Sequence, residues 1–183
     1  MQNHGALDDV FGSYEGPLGC QVRRDGVSVR LWAPTAVAVT LRLFDVPHGG
    51  EPFAEIAMEE RGGVWGVDGG AEWIGRYYQY KIEVFHPWAD GPSGNFTTAY
   101  VTDPYSRSLS ADGEYTHVCN VDAPELKPAG WDNLRKPDHG RHPTDYAIYE
   151  LHVRDFSAMD ESVPWDLRGK YGAFAQKLSL IHI

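Results

Sequence analysis

The sequence is poor in cysteine, poor in positive charge and devoid of any long apolar run. Two cysteines in 183 residues, Cys20 and Cys119, lie far apart and form no metal-type spacing. A small disulfide scaffold uses more, so two free thiols are expected. Lys and Arg number 16 against 26 Asp and Glu, a formal charge of -10. Phosphate recognition needs clustered cations, so this balance argues against nucleic acid and against an anionic membrane surface as partners. No stretch approaches the ~20 apolar residues of a membrane helix. Nor is there a basic-then-apolar leader at the N-terminus, and the compartment stays open. A glycosylation-type triplet begins at Asn95, but no secretion signal accompanies it.

What the chain does have is glycine (20), proline (12) and 13% aromatics, a mix that favours short strands joined by turns. Residues 1–17 show little period and read as a lead-in. From Leu18, "LGCQVRRDGVSVRLWAP" holds two strand-like runs about Asp25-Gly26, a hairpin signal because both residues tolerate positive φ. Val27, Val29 and Leu31 alternate with Ser28 and Arg30, the period of a half-buried strand. In "VAVTLRLFD", Val37, Val39, Leu41 and Leu43 share one face. "GGVWGVDG" is a brief strand between glycine turns. "RYYQYKIEVF" sets Tyr78, Tyr80, Ile82 and Val84 opposite Gln79, Lys81 and Glu83, with Tyr77 facing outward. "TTAYVTDPYS" ends at Pro104, which cannot donate to a ladder. This spacing predicts a mainly β fold, an antiparallel, immunoglobulin-like β-sandwich over residues 18–121.

Residues 122–145 carry four prolines and many charges without period, and read as a connector. It leads into "AIYELHVRDF", where Ile148, Glu150, His152 and Arg154 alternate with Ala147, Tyr149, Leu151, Val153 and Asp155. A strand with one polar side suits a barrel whose interior lies near chemistry.

"YEGPLGCQVRRDGVSVRLWAPTAVAVTLRLFD", "RYYQYKIEVFHP", "VTDPYSRSLSADG", "LKPAGWD" and "YAIYELHVRDFSAMDESV…RGKYGAFA" follow one another from about Tyr14 to Lys177. In that order they resemble type I pullulanases and limit dextrinases, debranching members of glycoside hydrolase family 13. Isoamylase and branching-type enzymes share the plan and are the nearest alternative; "YEGPLG" and "DPYSRSLSADG" favour the pullulanase side. The resemblance implies a family 48 carbohydrate-binding module, followed in residues 146–183 by the first β-strand and first helix region of a truncated (β/α)8 barrel. It also implies that the intact enzyme hydrolyses α-1,6-glucosidic bonds of pullulan, limit dextrin and amylopectin with retention. An Asp nucleophile, a Glu acid/base and a third Asp would perform that chemistry.

Those carboxylates belong to later barrel strands. Such a barrel takes ~250 residues, and fewer than 40 follow Tyr146. No residue here is expected to be catalytic, Asp155 and Asp160 included; Asp155 is expected to pair with Arg154 or cap a turn. The closing run "LSLIHI", residues 178–183, departs from the family pattern and is expected to be a non-native end. The chain is thus expected to be an inactive N-terminal fragment whose partners are α-glucan and its own missing barrel. A stand-alone glucan-binding module without catalysis is the alternative. No cofactor is expected in the fragment; calcium would belong to the intact enzyme.

Lys81 and Trp88 in "YKIEVFHPW" match the Lys and following Trp of starch-binding relatives, and are the expected carbohydrate-binding residues. The physical basis is stacking of a pyranose C–H face on an aromatic ring, with a neighbouring donor for hydroxyls. Trp32, Trp65 and Trp73 are expected to pack in the core or against a neighbouring domain. His139, His142 and Asp145 invite a metal reading, but lack the rigid frame and second ligand pair of a zinc site. A solvated linker is expected there, and no metal site.

Overall fold

A computed structural model describes residue 12 and residues 14–87, 94–135 and 142–176. The chain divides into two compact units, residues 1–131 and 132–183.

The first unit is built of two antiparallel sheets. Sheet A has the order β1-β2-β6-β5, from β1 (Gly19–Arg23), β2 (Gly26–Trp32), β5 (Glu59–Arg61) and β6 (Val64–Gly69). Sheet B has the order β4-β3-β7-β8, from β3 (Ala36–Phe44), β4 (Ala54–Ala57), β7 (Tyr77–His86) and β8 (Asn95–Val101). A short β9 (Thr116–His117) also pairs with β7. The predicted mainly β fold is therefore present. Its core holds Val27, Val29 and Leu31 from sheet A and Val39, Leu41, Leu43, Tyr78 and Tyr80 from sheet B, with Trp65, Trp73 and Val118. The period-2 pattern predicts this core because alternate side chains leave a strand on opposite faces.

Between β4 and β5 the chain crosses from one sheet to the other at a single residue. Met58 separates β4 in sheet B from β5 in sheet A, is buried, and donates its N–H to the Val39 carbonyl at 2.9 Å. That single bond carries the ladder through the corner where a sandwich strand changes sheets.

Several local expectations need correction. The first hairpin turns at Arg24-Asp25, since Gly26 pairs with Arg23. Neither turn residue has positive φ; the unusual value, 158°, belongs to Gly26. A Cβ there would lie 2.4 Å from the Gly69 carbonyl oxygen. Val37 is 49% exposed and does not join the inward row of β3. The ladder with β7 steps from Ala36–Val84 to Ala38–Glu83, so one extra residue bulges out and turns Val37 outward. Of the three tryptophans expected in the core or against a neighbouring domain, Trp65 and Trp73 are core residues; Trp32 is 39% exposed, on the outer face of β2 with Ser28 and Arg30.

"DPYS" has a structural explanation. Asp103 is 3% exposed, and its Oδ2 accepts hydrogen bonds from the Tyr78 and Tyr80 hydroxyls, the second at 2.9 Å. Its Oδ1 accepts the Tyr105 N–H at 2.8 Å. A buried carboxylate needs such donors, and here it ties the loop after β8 to the first half of β7. Burial above all, reinforced by Asp103, pushes both tyrosine hydroxyls well above their ordinary range. Both cysteines are free. Burial above all, then Asp103 and Cys119, pushes the Cys20 thiol up to about 12.

In the second unit the expected barrel strand over residues 147–156 is not a strand. Tyr146 and His152 have extended backbone, φ/ψ -97/134° and -94/122°, but no ladder forms, and Val153–Ser157 is a short helix, α1. A barrel strand is held by hydrogen bonds from two flanking strands, and none is present among the described residues of this unit. His152 instead caps α1, its Nδ1 accepting the Asp155 N–H at 3.4 Å. The Asp155 carboxylate lies 3.5 Å from the same nitrogen, beside His152 rather than Arg154. In the segment between sandwich and α1, Pro124 and Pro143 each open a single 3-10 turn, as their fixed φ favours.

Candidate functional site

Lys81 lies on the outward face of β7, at the centre of sheet B. The register places Thr40 on one side of it and Tyr100 on the other. Because alternate residues of β8 share a face, Phe96, Thr98 and Tyr100 line up beside Phe85, Glu83 and Lys81. The result is a stripe of aromatic and polar groups turned away from the core.

Its geometry is specific. The Phe85 and Phe96 rings stand 5.0 Å apart, tilted at 49°. The Arg42 guanidinium sits 4.6 Å from the centroid of the Tyr100 ring. That guanidinium is oriented from behind by Glu55 (2.8 Å) and Gln79 (3.4 Å), so it supports the ring without needing solvent. Tyr100 is 54% and Phe96 63% exposed. Lys81 Nζ is 3.7 Å from Glu83 Oε1 with both side chains partly exposed. An ion pair of this kind is worth ~0–1 kcal/mol, so it leaves the ammonium available to a ligand at small cost.

Chemically, such a surface offers apolar ring faces beside a three-donor ammonium and a carboxylate. That combination suits a ligand with C–H faces and many hydroxyls. Of the two expected sugar-binding residues, the structure describes Lys81; Trp88 lies outside the described residues. Arg42, Phe85, Phe96 and Tyr100 were not singled out from the sequence. The signal for three of them was present as alternation in "NFTTAYV" and the end of "KIEVF". Arg42 needed the fold, because it reaches Tyr100 across the intervening strand.

The expected absence of a metal site concerned His139, His142 and Asp145. His139 lies outside the described residues, and the His142 N–H donates to the Asp145 carboxylate at 3.0 Å, closing a capping turn. Near the sandwich edge, His117 stacks on Tyr77 at 5.0 Å and its Nδ1 lies 3.1 Å from Ser108 Oγ. Burial lowers its pKa from the ordinary histidine value.

Comparison with known proteins gives this surface a family. Residues 17–106 match the model of carbohydrate-binding module 48, the isoamylase N-terminal domain. Over 97% of its length the chain is 47% identical to pullulanase 1, chloroplastic, of Arabidopsis thaliana, and covers 18% of that protein. It is 37% identical over 93% of its length to a pullulanase of Klebsiella pneumoniae, covering 16% of it. A crystal structure of Klebsiella pneumoniae pullulanase complexed with maltotriose superposes with a TM-score of 0.79 and 36% identity, over 92% of this chain and 16% of that one. The chain thus spans less than a fifth of the length of these relatives. Residues 17–106 belong to the carbohydrate-binding module 48 family, within a chain similar to pullulanases along nearly all of its length.

Proposed function

We propose that this chain is part of a starch- and pullulan-debranching glycoside hydrolase, and that its sandwich contacts α-glucan through Lys81 and Trp88. The observation that carries the reading is the continuous likeness to pullulanases, which runs through the sandwich and on into residues beyond it. The complex of one such relative with maltotriose supports an α-glucan as ligand class. The stripe around Lys81 adds chemical support, since exposed rings beside an ammonium suit a pyranose.

In the complete enzyme, hydrolysis of an α-1,6 bond by retention needs two carboxyl groups ~5–5.5 Å apart, one to attack and one to protonate the leaving oxygen. The acid must also hold a raised pKa inside a built pocket. In this reading those groups lie outside the present chain, which binds and does not cut.

Affinity electrophoresis through amylopectin, together with a reducing-end assay on pullulan, tests both halves. The chain should be retarded by amylopectin, and Lys81→Ala or Trp88→Ala should weaken the retardation. No reducing ends should appear. Cleavage of pullulan by this chain alone would sink the division of labour, and unchanged retardation in both variants would remove the sugar from Lys81 and Trp88.

A further inference from the structure

A second depression lies on the other sheet. On the outer face of sheet A, Arg30 in β2, Gly66 in β6 and Glu59 in β5 form one cross-strand row. The missing side chain at Gly66 sinks the middle of that row. The groove it leaves has a volume of about 430 Å³ and is walled by Tyr14, Arg30, Glu59, Arg61 and Asp68. That volume lies at the small end of the ~300–1,000 Å³ typical of small-molecule sites, so the groove suits the end of a chain more than its length.

The walls are held in place before any ligand arrives. Arg30 Nη1 donates to the Val29 and Val67 carbonyls at 3.0 and 2.9 Å. Its Nη2 donates to both Asp68 oxygens at 2.8 and 3.0 Å. A Cβ at position 66 would lie 2.9 Å from Arg30 Cδ, so glycine is what lets this side chain lie across β6. Arg61 pairs with Glu59 at 2.9 Å. The Tyr14 hydroxyl donates to the Pro17 carbonyl at 3.3 Å, fixing one edge of its ring.

Charge decides what such a groove can take. Two guanidinium groups face two carboxylates, so an anion meets Glu59 and Asp68 and a cation meets Arg30 and Arg61. A neutral ligand rich in hydroxyls meets no net repulsion. Each carboxylate keeps lone pairs beyond those used by its arginine, and the Tyr14 ring supplies an apolar wall. We infer that this glycine-floored groove is a second sugar site, on the sheet opposite Lys81, and that it takes the end of an α-glucan chain. The neutral polyhydroxyl class rests on the groove itself; the choice of α-glucan rests on the debranching reading above.

The test is titration of the whole chain with maltotriose, followed by calorimetry and by amide NMR. In a Lys81→Ala/Trp88→Ala background maltotriose should still bind and shift amides of β5 and β6. Tyr14→Ala and Glu59→Ala, both at exposed positions that leave the core intact, should each weaken that binding roughly tenfold. Maltotriose binding that disappears entirely in the Lys81/Trp88 background would overturn the groove and leave the first site standing. Binding that survives there but is indifferent to Tyr14 and Glu59 would overturn it too. Loss through the Tyr14 and Glu59 variants, with no effect of Lys81 or Trp88, would support the groove and sink the first site. Equal affinity for a β-linked glucose trimer would overturn the α-glucan assignment.

Discussion

Asp103 and His117 show opposite ways of holding a polar group in a sandwich. Asp103 is satisfied by three donors, and its removal would leave two buried hydroxyls and a backbone N–H without their acceptor. Asp103→Ala should therefore destabilise the sandwich by about 2 kcal/mol or more, read as a lower urea midpoint, while Asp103→Asn, which keeps one acceptor oxygen, should cost less. Equal midpoints for wild type and Asp103→Ala would show that the network contributes nothing. His117 is held neutral by burial, with its pKa below the ordinary value. In that case the unfolded chain takes up a proton first as pH falls, so stability is full above about 6.5 and declines as pH drops through the interval down to the folded pKa. Thermal melts from pH 7.5 to 5 should fall more steeply for wild type than for His117→Gln. Parallel slopes would contradict the assignment.

Among the elements, β3 carries the clearest contrast between neighbouring positions. Leu41 is completely buried between the sheets, whereas Val37 sits outward on a bulge. Leu41→Ala should cost about 2–5 kcal/mol through lost burial and the cavity left behind. Val37→Thr should stay within ~0.5 kcal/mol, as exposed substitutions do. A comparable loss at both positions, measured by denaturant unfolding, would mean that the bulge is absent. The same element supplies Arg42, whose guanidinium backs the Tyr100 ring two strands away. A packing element and a candidate binding surface are thus the two faces of one strand.

At the scale of the whole molecule the two units are stabilised very unequally. The sandwich buries a continuous apolar core. Among the described residues of the second unit, full burial is confined to Ser157, Val163 and Ala173, while Ile148, Trp165 and Tyr171 are more than 80% exposed. With so little area removed from water, local opening there should be easy. Hydrogen exchange on the whole chain should find its slowest amides in β3 and β7, at Leu41 and Tyr80 for example. Phe156 and Ala158, whose amides bond only within the α1 turn, should exchange orders of magnitude faster. Uniform protection across both units would refute this picture.

The amino-acid order alone determined β1, β2, β3, β6, β7 and β8, the inward rows of β2 and β7, the glycine and proline punctuation, and the likeness that runs from Tyr14 to Lys177. These are local or nearest-neighbour properties, written in period-2 alternation and turn chemistry. Tertiary structure decided the rest. The bulge that expels Val37 depends on how β7 pairs with it, and residues 146–152 form no strand because a ladder needs partners. Arg42 meets Tyr100, and Tyr14 joins Glu59 around Gly66, only when strands distant in sequence are set side by side. Alternation says which way a side chain points; the pairing of strands says what it meets.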